Sequence, residues 1–125
     1  MTSRRVLVVD DDEAIREIAA VSMRAVGGHD VQTAASGAEA LLLAAAQPPE
    51  VILLDVMMPG LNGLDVLKTI RAHPVHKDLP VVVFSALSDE ETRDAALANG
   101  AQEYLVKSKA DFDTIRACIE SHLPV

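Results

Sequence analysis

The sequence has little of several residue types, and each shortage narrows the range of functions. Cys118 is the only cysteine in 125 residues. No disulfide can form within the chain, so a reducing cytoplasm is the expected location and Cys118 is interpreted as a small buried hydrophobe. Two Phe and one Tyr are the only aromatic residues, which predicts an aliphatic core. No apolar run has the length of a membrane-spanning helix, and the short run after MTSRR leads into three acids, unlike a secretion signal.

Positive charge is also scarce, since 11 Lys and Arg stand against 19 Asp and Glu for a net charge of −8. Nucleic-acid binding needs a basic surface, so we expect no direct contact with nucleic acid. The acidity is compatible with a metal ion or a cationic partner. At 125 residues the chain is long enough for one core, which predicts a single domain over residues 1–125.

Five short apolar runs predict β-strands. They are RVLVV (5–9), DVQTA (30–34), VILLD (51–55), PVVVF (80–84) and EYLV (103–106). Three of them are almost continuous Val, Ile and Leu, which is typical of parallel strands covered on both faces. The second run is half polar, as expected for a strand at the edge of a sheet.

Helix signals separate the predicted strands. The first helix is expected from Glu13 to Ala25, ended by Gly27 and Gly28 in the left-handed conformation. Its predicted buried face is Ile15, Ile18, Ala19, Ser22 and Val26. A capping box of Ser36 and Glu39 predicts the start of the second helix, and Asn62 is the predicted cap of the third, which ends near His73 before Pro74. A capping box of Ser88 and Glu91 predicts the start of the fourth helix, and Gly100 its end. The fifth helix is expected from about Ala110 to Leu123.

This alternation predicts the α/β class, with (βα)5 elements in a doubly wound three-layer sandwich. The expected five-stranded parallel sheet has the order 2-1-3-4-5. In such a sheet all the carboxyl ends of the strands lie along one edge, and ligands bind where the strand order reverses.

Polar side chains follow four of the predicted strands. The first ends in Asp10, Asp11 and Asp12, the third in Asp55, the fourth in Ser85 and the fifth in Lys107. We therefore expect Asp10, Asp11 and Asp55 to converge, with Ser85 and Lys107 close by. Asp12 precedes a helix and is interpreted as its cap. Taken singly, Ser85 and Lys107 are typical of a turn hydroxyl and a solvated lysine; their common position at strand ends favours a shared site.

Crowded carboxylates raise one another's pKa unless a cation compensates them. Mg²⁺ prefers oxygen ligands and is held by a few carboxylates together with a phosphoryl oxygen. A lysine ammonium and a serine hydroxyl both suit a phosphoryl group. The set indicates attack by a carboxylate on phosphorus, which gives an acyl phosphate.

The segments VLVVDDD, VILLDVMMPGLNGLDVL, VVVFSA and AQEYLVK resemble the receiver domain of bacterial two-component response regulators, over essentially the whole chain. The resemblance is to single-domain chemotaxis regulators and implies a flavodoxin-like fold. It implies a phosphorylation-dependent switch that takes a phosphoryl group from a sensor histidine kinase or phosphotransfer protein. It also implies that the chain assists its own phosphotransfer without being a turnover enzyme. A homodimer that forms on phosphorylation is left open.

The resemblance assigns roles to individual residues. Asp55 corresponds to the phosphoacceptor, Asp10 and Asp11 to the acidic pair that holds Mg²⁺ or Mn²⁺, and the Met57 backbone carbonyl to a further metal ligand. Lys107 corresponds to the lysine that contacts the phosphoryl group, Ser85 and Tyr104 to the residues of the conformational switch, and Pro59 and Gly63 to a loop that turns tightly. The expected response is a change of the face formed by the fourth helix, fifth strand and fifth helix.

Two features depart from the usual pattern. Ser108 follows Lys107 where the family has a proline in a cis peptide, and a cis bond without proline is costly, so both a trans bond and a strained cis bond are considered. Met57, Ala86 and Leu87 stand near the expected phosphoryl group. Apolar Met57 and Leu87 cannot orient a hydrolytic water, which predicts slow autodephosphorylation.

Rival interpretations remain at this level. A phosphatase of the haloacid dehalogenase type also uses Asp and Mg²⁺, but no later acidic motif suits its metal. A pseudo-receiver would use the fold only for interaction, and a flavodoxin lacks support because no hydroxyl-rich loop follows the first strand. His29, His73, His76 and His122 lack ligand spacing and are interpreted as not binding metal. The chain is either a free-standing receiver or a piece of a longer regulator, with its kinase and target unassigned.

Overall fold

The computed structural model describes residues 4–57 and 63–123. Its strands are β1 (Arg5–Val9), β2 (Asp30–Ala34), β3 (Val51–Leu54), β4 (Val81–Ser85) and β5 (Glu103–Val106). Its α-helices are α1 (Glu13–Val21), α2 (Gly37–Ala46), α3 (Gly63–Ala72), α4 (Glu90–Ala98) and α5 (Phe112–Ser121). A π-helical segment, Ser22–Val26, continues α1. Each predicted strand is present, with its ends shifted by at most one residue.

The strands form one parallel sheet in the order β2-β1-β3-β4-β5, which confirms the predicted fold class. At the carboxyl end of β1, Val9 pairs with Ala34 of β2 and Leu54 of β3. The carboxyl ends of β1 and β3 are therefore level. This register places the residues that follow Val9 and Leu54 side by side.

The central strands bury both of their faces because their side chains alternate between two apolar clusters. Leu7 and Leu54 pack with the side chains of α2 and α3 on one face. Val8 and Leu53 pack with those of α1 and α5 on the other. Leu53 and Leu54 are at most 2% exposed, so the packing of these two side chains fixes the backbone position of Asp55, which follows them.

The first helix differs from its prediction. The predicted buried face is wrong at Ile18 and Val26, which are 50% and 66% exposed, while Ala20 and Met23 are buried. The π-helical turn changes the angle between successive side chains, so Met23 points inward and Val26 outward. Of the two glycines that follow this helix, Gly28 has positive φ, at 69°, whereas Gly27 has φ −83°, so the predicted left-handed conformation is confirmed at Gly28 and wrong at Gly27.

Of the two predicted capping boxes, the one at the start of α2 is present in the structure and the one at the start of α4 is not. Ser36 accepts a hydrogen bond from the Glu39 N–H, so that predicted cap is confirmed. The predicted Ser88 cap is wrong, because α4 starts one residue later with Asp89 accepting from the Thr92 N–H. Gly100 ends this region with φ +103°.

The fifth helix is shorter than predicted, and Asp111 caps its start. The predicted Asn62 cap and Pro59 lie outside the described residues. None of the helices described is long and apolar enough to cross a membrane.

Candidate functional site

Asp10 and Asp55 lie next to each other where β1 and β3 end. The Asp55 N–H donates to the Val9 carbonyl at 2.9 Å, so the backbone pairing of the sheet continues into the acidic residue. Both residues are only 2% exposed. The aliphatic strands thus hold two carboxylates in a buried position that neither would occupy without a partner.

Lys107 supplies that partner from the end of β5. Its Nζ is 2.8 Å from Asp10 Oδ2 and 3.2 Å from Asp55 Oδ2, so one ammonium bridges the two carboxylates. The Lys107 N–H donates to the Ser85 carbonyl at 2.8 Å, which fixes the base of the side chain against β4. The sequence-predicted convergence of Asp10, Asp55 and Lys107 is therefore seen in the structure.

The site shifts the pKa values of two of these groups. Burial raises the pKa of Asp55, and this effect together with the nearby Asp10 charge outweighs the opposing hydrogen bond from Met57 and the attraction of Lys107. Burial alone lowers the pKa of Lys107, but its hydrogen bonds and ion pairs with Asp10 and Asp55 raise the pKa overall. The single Lys107 ammonium thus does not fully compensate the negative charge of the two carboxylates.

Asp11 completes a group of three acids. One carboxylate oxygen each from Asp10, Asp11 and Asp55 lie within 4.8 Å of one another, and Asp11 is exposed to solvent while the other two are buried. An all-oxygen set open on one side fits a hard divalent cation that keeps some of its waters. Asp12 does not join the group, because its carboxylate caps α1 by accepting from the Ile15 N–H at 3.2 Å, as predicted.

The backbone beside Asp55 is held from two directions. The Met57 N–H donates to Asp55 Oδ1 at 2.8 Å, which orients the carboxylate. Gly63, the first residue of α3, lies so close that a Cβ there would be 2.3 Å from the Val56 Cα and 2.5 Å from the Asp55 carbonyl oxygen. A glycine is thus required at position 63 because α3 starts in close approach to the backbone of Asp55 and Val56, and not because the position is left-handed.

The predicted switch residues meet at Leu87. The buried Ser85 hydroxyl accepts from the Leu87 N–H at 3.1 Å, and the Tyr104 hydroxyl donates to the Leu87 carbonyl at 2.7 Å. Ala86, between them, is exposed. The loop after β4 is thereby tied at one residue both to the strand that carries Ser85 and to the neighbouring strand β5.

The peptide bond between Lys107 and Ser108 is trans, as are the other bonds among the described residues. The Lys109 N–H donates to the Val106 carbonyl at 2.9 Å and closes a turn there. Lys107 reaches both carboxylates from this turn, so the missing proline does not prevent its ion pairs.

Two residues at the site were missed by the sequence analysis. Phe84 lies beneath Lys107, with Nζ 5.3 Å from the ring centroid, and Arg16 donates to the Asp10 carbonyl at 2.9 Å. The sequence could have indicated Phe84, because it directly precedes Ser85 in the strand that pairs with β5 and so lies near the residue that follows β5. Arg16 sits in a helix and gave no such signal.

Comparison with known proteins identifies the family. The family model of the response regulator receiver domain matches residues 6–120. The chain is 45% identical over 107 residues to the transcriptional regulatory protein PrrA of Mycobacterium tuberculosis, covering 86% of this chain and 45% of that protein. It is 44% identical over 103 residues to the response regulator MprA of Mycolicibacterium vanbaalenii, covering 82% and 43%. The chain therefore spans less than half the length of these relatives.

Solved structures agree with this relationship. The chemotaxis protein CheY4 of Vibrio cholerae superimposes with a TM-score of 0.88 at 30% identity, over 98% of this chain and 100% of that one. A putative response regulator from Chloroflexus aurantiacus gives a TM-score of 0.90 at 30% identity, over 97% and 98%. The chain belongs to the response regulator receiver domain family.

Proposed function

We propose that residues 1–125 form one receiver domain in which Asp55 accepts a phosphoryl group from a phosphohistidine on a sensor histidine kinase or phosphotransfer protein. The observation that carries the proposal is the single Lys107 ammonium shared by two buried carboxylates, with a third carboxylate oxygen within 4.8 Å. Membership of the family supports a signalling role that depends on phosphorylation. Receiver domains are in general signalling proteins rather than turnover enzymes.

Asp55 acts as the nucleophile in this proposal. One of its oxygens forms a bond to phosphorus, the bond between phosphorus and the histidine nitrogen breaks, and the imidazole leaves with the electron pair. Met57 orients the carboxylate through its N–H, and β3 holds it at the sheet edge. Such transfers depend mainly on positioning and on neutralising charge, which these contacts provide.

The acidic group suits a bound Mg²⁺ ion, with Mn²⁺ as a substitute. Asp10, Asp11 and Asp55 would hold it, and the Met57 carbonyl is the predicted further ligand. When bound, the ion neutralises the oxygens of the transferring group. Lys107 already lies between Asp10 and Asp55, so it can shift to a phosphoryl oxygen over a short distance.

The response to phosphorylation runs through Leu87. The new phosphoryl oxygens attract the Ser85 hydroxyl, which then gives up the Leu87 N–H that it holds at 3.1 Å. The Leu87 carbonyl is bound to Tyr104, so the start of α4 and the side chain on β5 change together. The face formed by α4, β5 and α5 thereby changes its affinity for a downstream protein.

Phosphoryl transfer to Asp55 is tested by incubating the protein with a radiolabelled acyl phosphate and Mg²⁺. We expect the unmodified chain to take up label and Asp55→Asn to take up none, because an amide cannot form the acyl phosphate. Asp12→Asn is the matched control, since Asn also caps helices and Asp12 lies outside the acidic group. Uptake of label by Asp55→Asn at the normal rate would overturn the assignment.

This labelling experiment, together with an assay for hydrolysis of a phosphate ester, separates the rival functions. A pseudo-receiver would take up no label, with or without Mg²⁺. A phosphatase of the haloacid dehalogenase type would release phosphate from an ester continuously. Label should be lost from Asp55 slowly, because Met57 and Leu87 are apolar and cannot orient a hydrolytic water. Following the label over time in the same preparation would measure this rate. The net charge of −8 disfavours direct contact of this chain with nucleic acid.

A further inference from the structure

A second group of possible metal ligands lies at the other end of the sheet from Asp55. Glu103 is the first residue of β5, whereas Lys107 follows the last, so the two sites are separated by the length of the strand. Cys118 and His122 are four residues apart at the end of α5, which places them on one face of that helix. One ligand atom from each of Glu103, Cys118 and His122 lies within 4.8 Å of the others.

The imidazole of His122 gives a second, independent observation. Its Nε2 atom is buried and has no hydrogen-bond partner among the described residues. Glu103 Oε1 lies 3.4 Å away, within ion-pair distance of a protonated imidazole but outside hydrogen-bond geometry. Ligands on a tetrahedral zinc, with Zn–N and Zn–O bonds of about 2.0–2.2 Å, are themselves separated by about 3.4 Å. The 3.4 Å spacing, which also suits an ion pair, therefore fits two ligands of one zinc ion.

We propose that Glu103, Cys118 and His122 form a site for a thiol-binding divalent metal, with Zn²⁺ as the fitting ion and water as its fourth ligand. A thiolate, an imidazole and a carboxylate are the three ligand types that zinc uses in proteins. Mg²⁺ is a poor match, because it avoids sulfur and nitrogen. The site is thus chemically distinct from the all-oxygen group at Asp10, Asp11 and Asp55.

The metal would connect β5 to the last turn of α5. Burial and the Glu103 charge raise the pKa of the Cys118 thiol, so in the absence of metal the thiol is protonated. Metal binding forms the metal–sulfur bond, and the displaced proton passes to solvent. Two elements of the proposed signalling face would then be joined at the end remote from Asp55.

Cobalt tests the proposal, because a thiolate bound to Co²⁺ gives a charge-transfer band in the near ultraviolet that oxygen ligands do not give. The full chain is treated with excess Mg²⁺ to occupy the acidic group and then titrated with Co²⁺. We expect the band to appear at one Co²⁺ per chain and to disappear when Zn²⁺ is added. Absence of the band from the unmodified protein at millimolar Co²⁺ overturns the proposal without recourse to any variant.

Variants identify the ligands. Cys118→Ser should lose the band, and Glu103→Gln and His122→Gln should each weaken Co²⁺ binding at least tenfold. His73→Gln, which alters an exposed histidine outside the group, should bind as the unmodified protein does. Circular dichroism checks that each variant is folded. A band unchanged in both Glu103→Gln and His122→Gln would show a thiol binding alone and would contradict the site.

Discussion

Gly63 and Asp55 are linked although they are eight positions apart in the sequence. The absence of a side chain at Gly63 lets α3 begin directly against the carbonyl of Asp55. The carboxylate itself is oriented by the Met57 N–H and by Lys107. Asp55 is therefore held by its backbone as well as by its charged neighbours, and a change in either should alter its proposed reaction.

Gly63→Ala should slow the uptake of the phosphoryl group and destabilise the fold. The added Cβ would lie 2.3 Å from the Val56 Cα, and backbone cannot move aside cheaply. Overpacking of this kind costs about 1–3 kcal/mol. Urea denaturation would measure the loss of stability, and labelling by an acyl phosphate under folding conditions would measure the rate.

Gly28→Ala is the matched control for that substitution. A Cβ at Gly28 meets nothing within 4 Å, but its φ of +69° is strained for alanine, which costs about 1 kcal/mol. This variant should lose stability and keep the labelling rate of the unmodified chain. If both variants label normally, close approach at Gly63 does not position Asp55.

The start of α4 shows what limits prediction at the scale of an element. Two patterns compete there, since Ser88 with Glu91 and Asp89 with Thr92 both suit a helix start. In the structure Leu87 is held on one side by Ser85 and on the other by Tyr104, so residue 88 still belongs to the loop. The contact of Leu87 with Tyr104 joins residues 17 positions apart, so no local sequence pattern near the helix start contains it.

Asp89→Ala should destabilise α4, and Ser88→Ala should not. Hydrogen bonds from the Thr92 hydroxyl and N–H lower the pKa of Asp89. Its contribution to stability is therefore present above its ordinary pKa and is lost as the pH falls through the lowered value. Thermal unfolding at neutral pH should show a Tm lower by a few degrees for Asp89→Ala, with the difference shrinking in acid. A larger effect from exposed Ser88→Ala would favour the cap predicted from sequence.

At the scale of the whole molecule, the sequence predicts what depends on periodicity. Five short apolar runs between helix signals, three of them almost continuously aliphatic, suffice to predict the parallel strands, and polar residues at the strand ends suffice to predict that Asp10, Asp55 and Lys107 come together. The group of Glu103, Cys118 and His122 could not be predicted in this way. These three residues come together only because α5 packs on β5, and their spacing in the sequence matches no metal-binding motif.

The buried acids should also set the pH dependence of stability for the whole domain. Burial and the neighbouring Asp10 raise the pKa of Asp55, so its ionised form is worse accommodated in the folded state than in the unfolded chain. The resulting penalty is fully present above the raised pKa and disappears as the pH falls below the ordinary pKa of about 3.9. Asp55→Asn removes this penalty while preserving shape.

Without Mg²⁺ at pH 7, Asp55→Asn should therefore raise the Tm, because the variant has no carboxylate to keep ionised in the buried position. The gain should shrink toward pH 4 as Asp55 of the unmodified protein takes up a proton. Millimolar Mg²⁺ should stabilise the unmodified chain more than the variant. Asp94→Asn, whose side chain is 68% exposed, is the control and should leave the Tm nearly unchanged. A Tm for Asp55→Asn below that of the unmodified protein would mean that the ion pair with Lys107 outweighs burial.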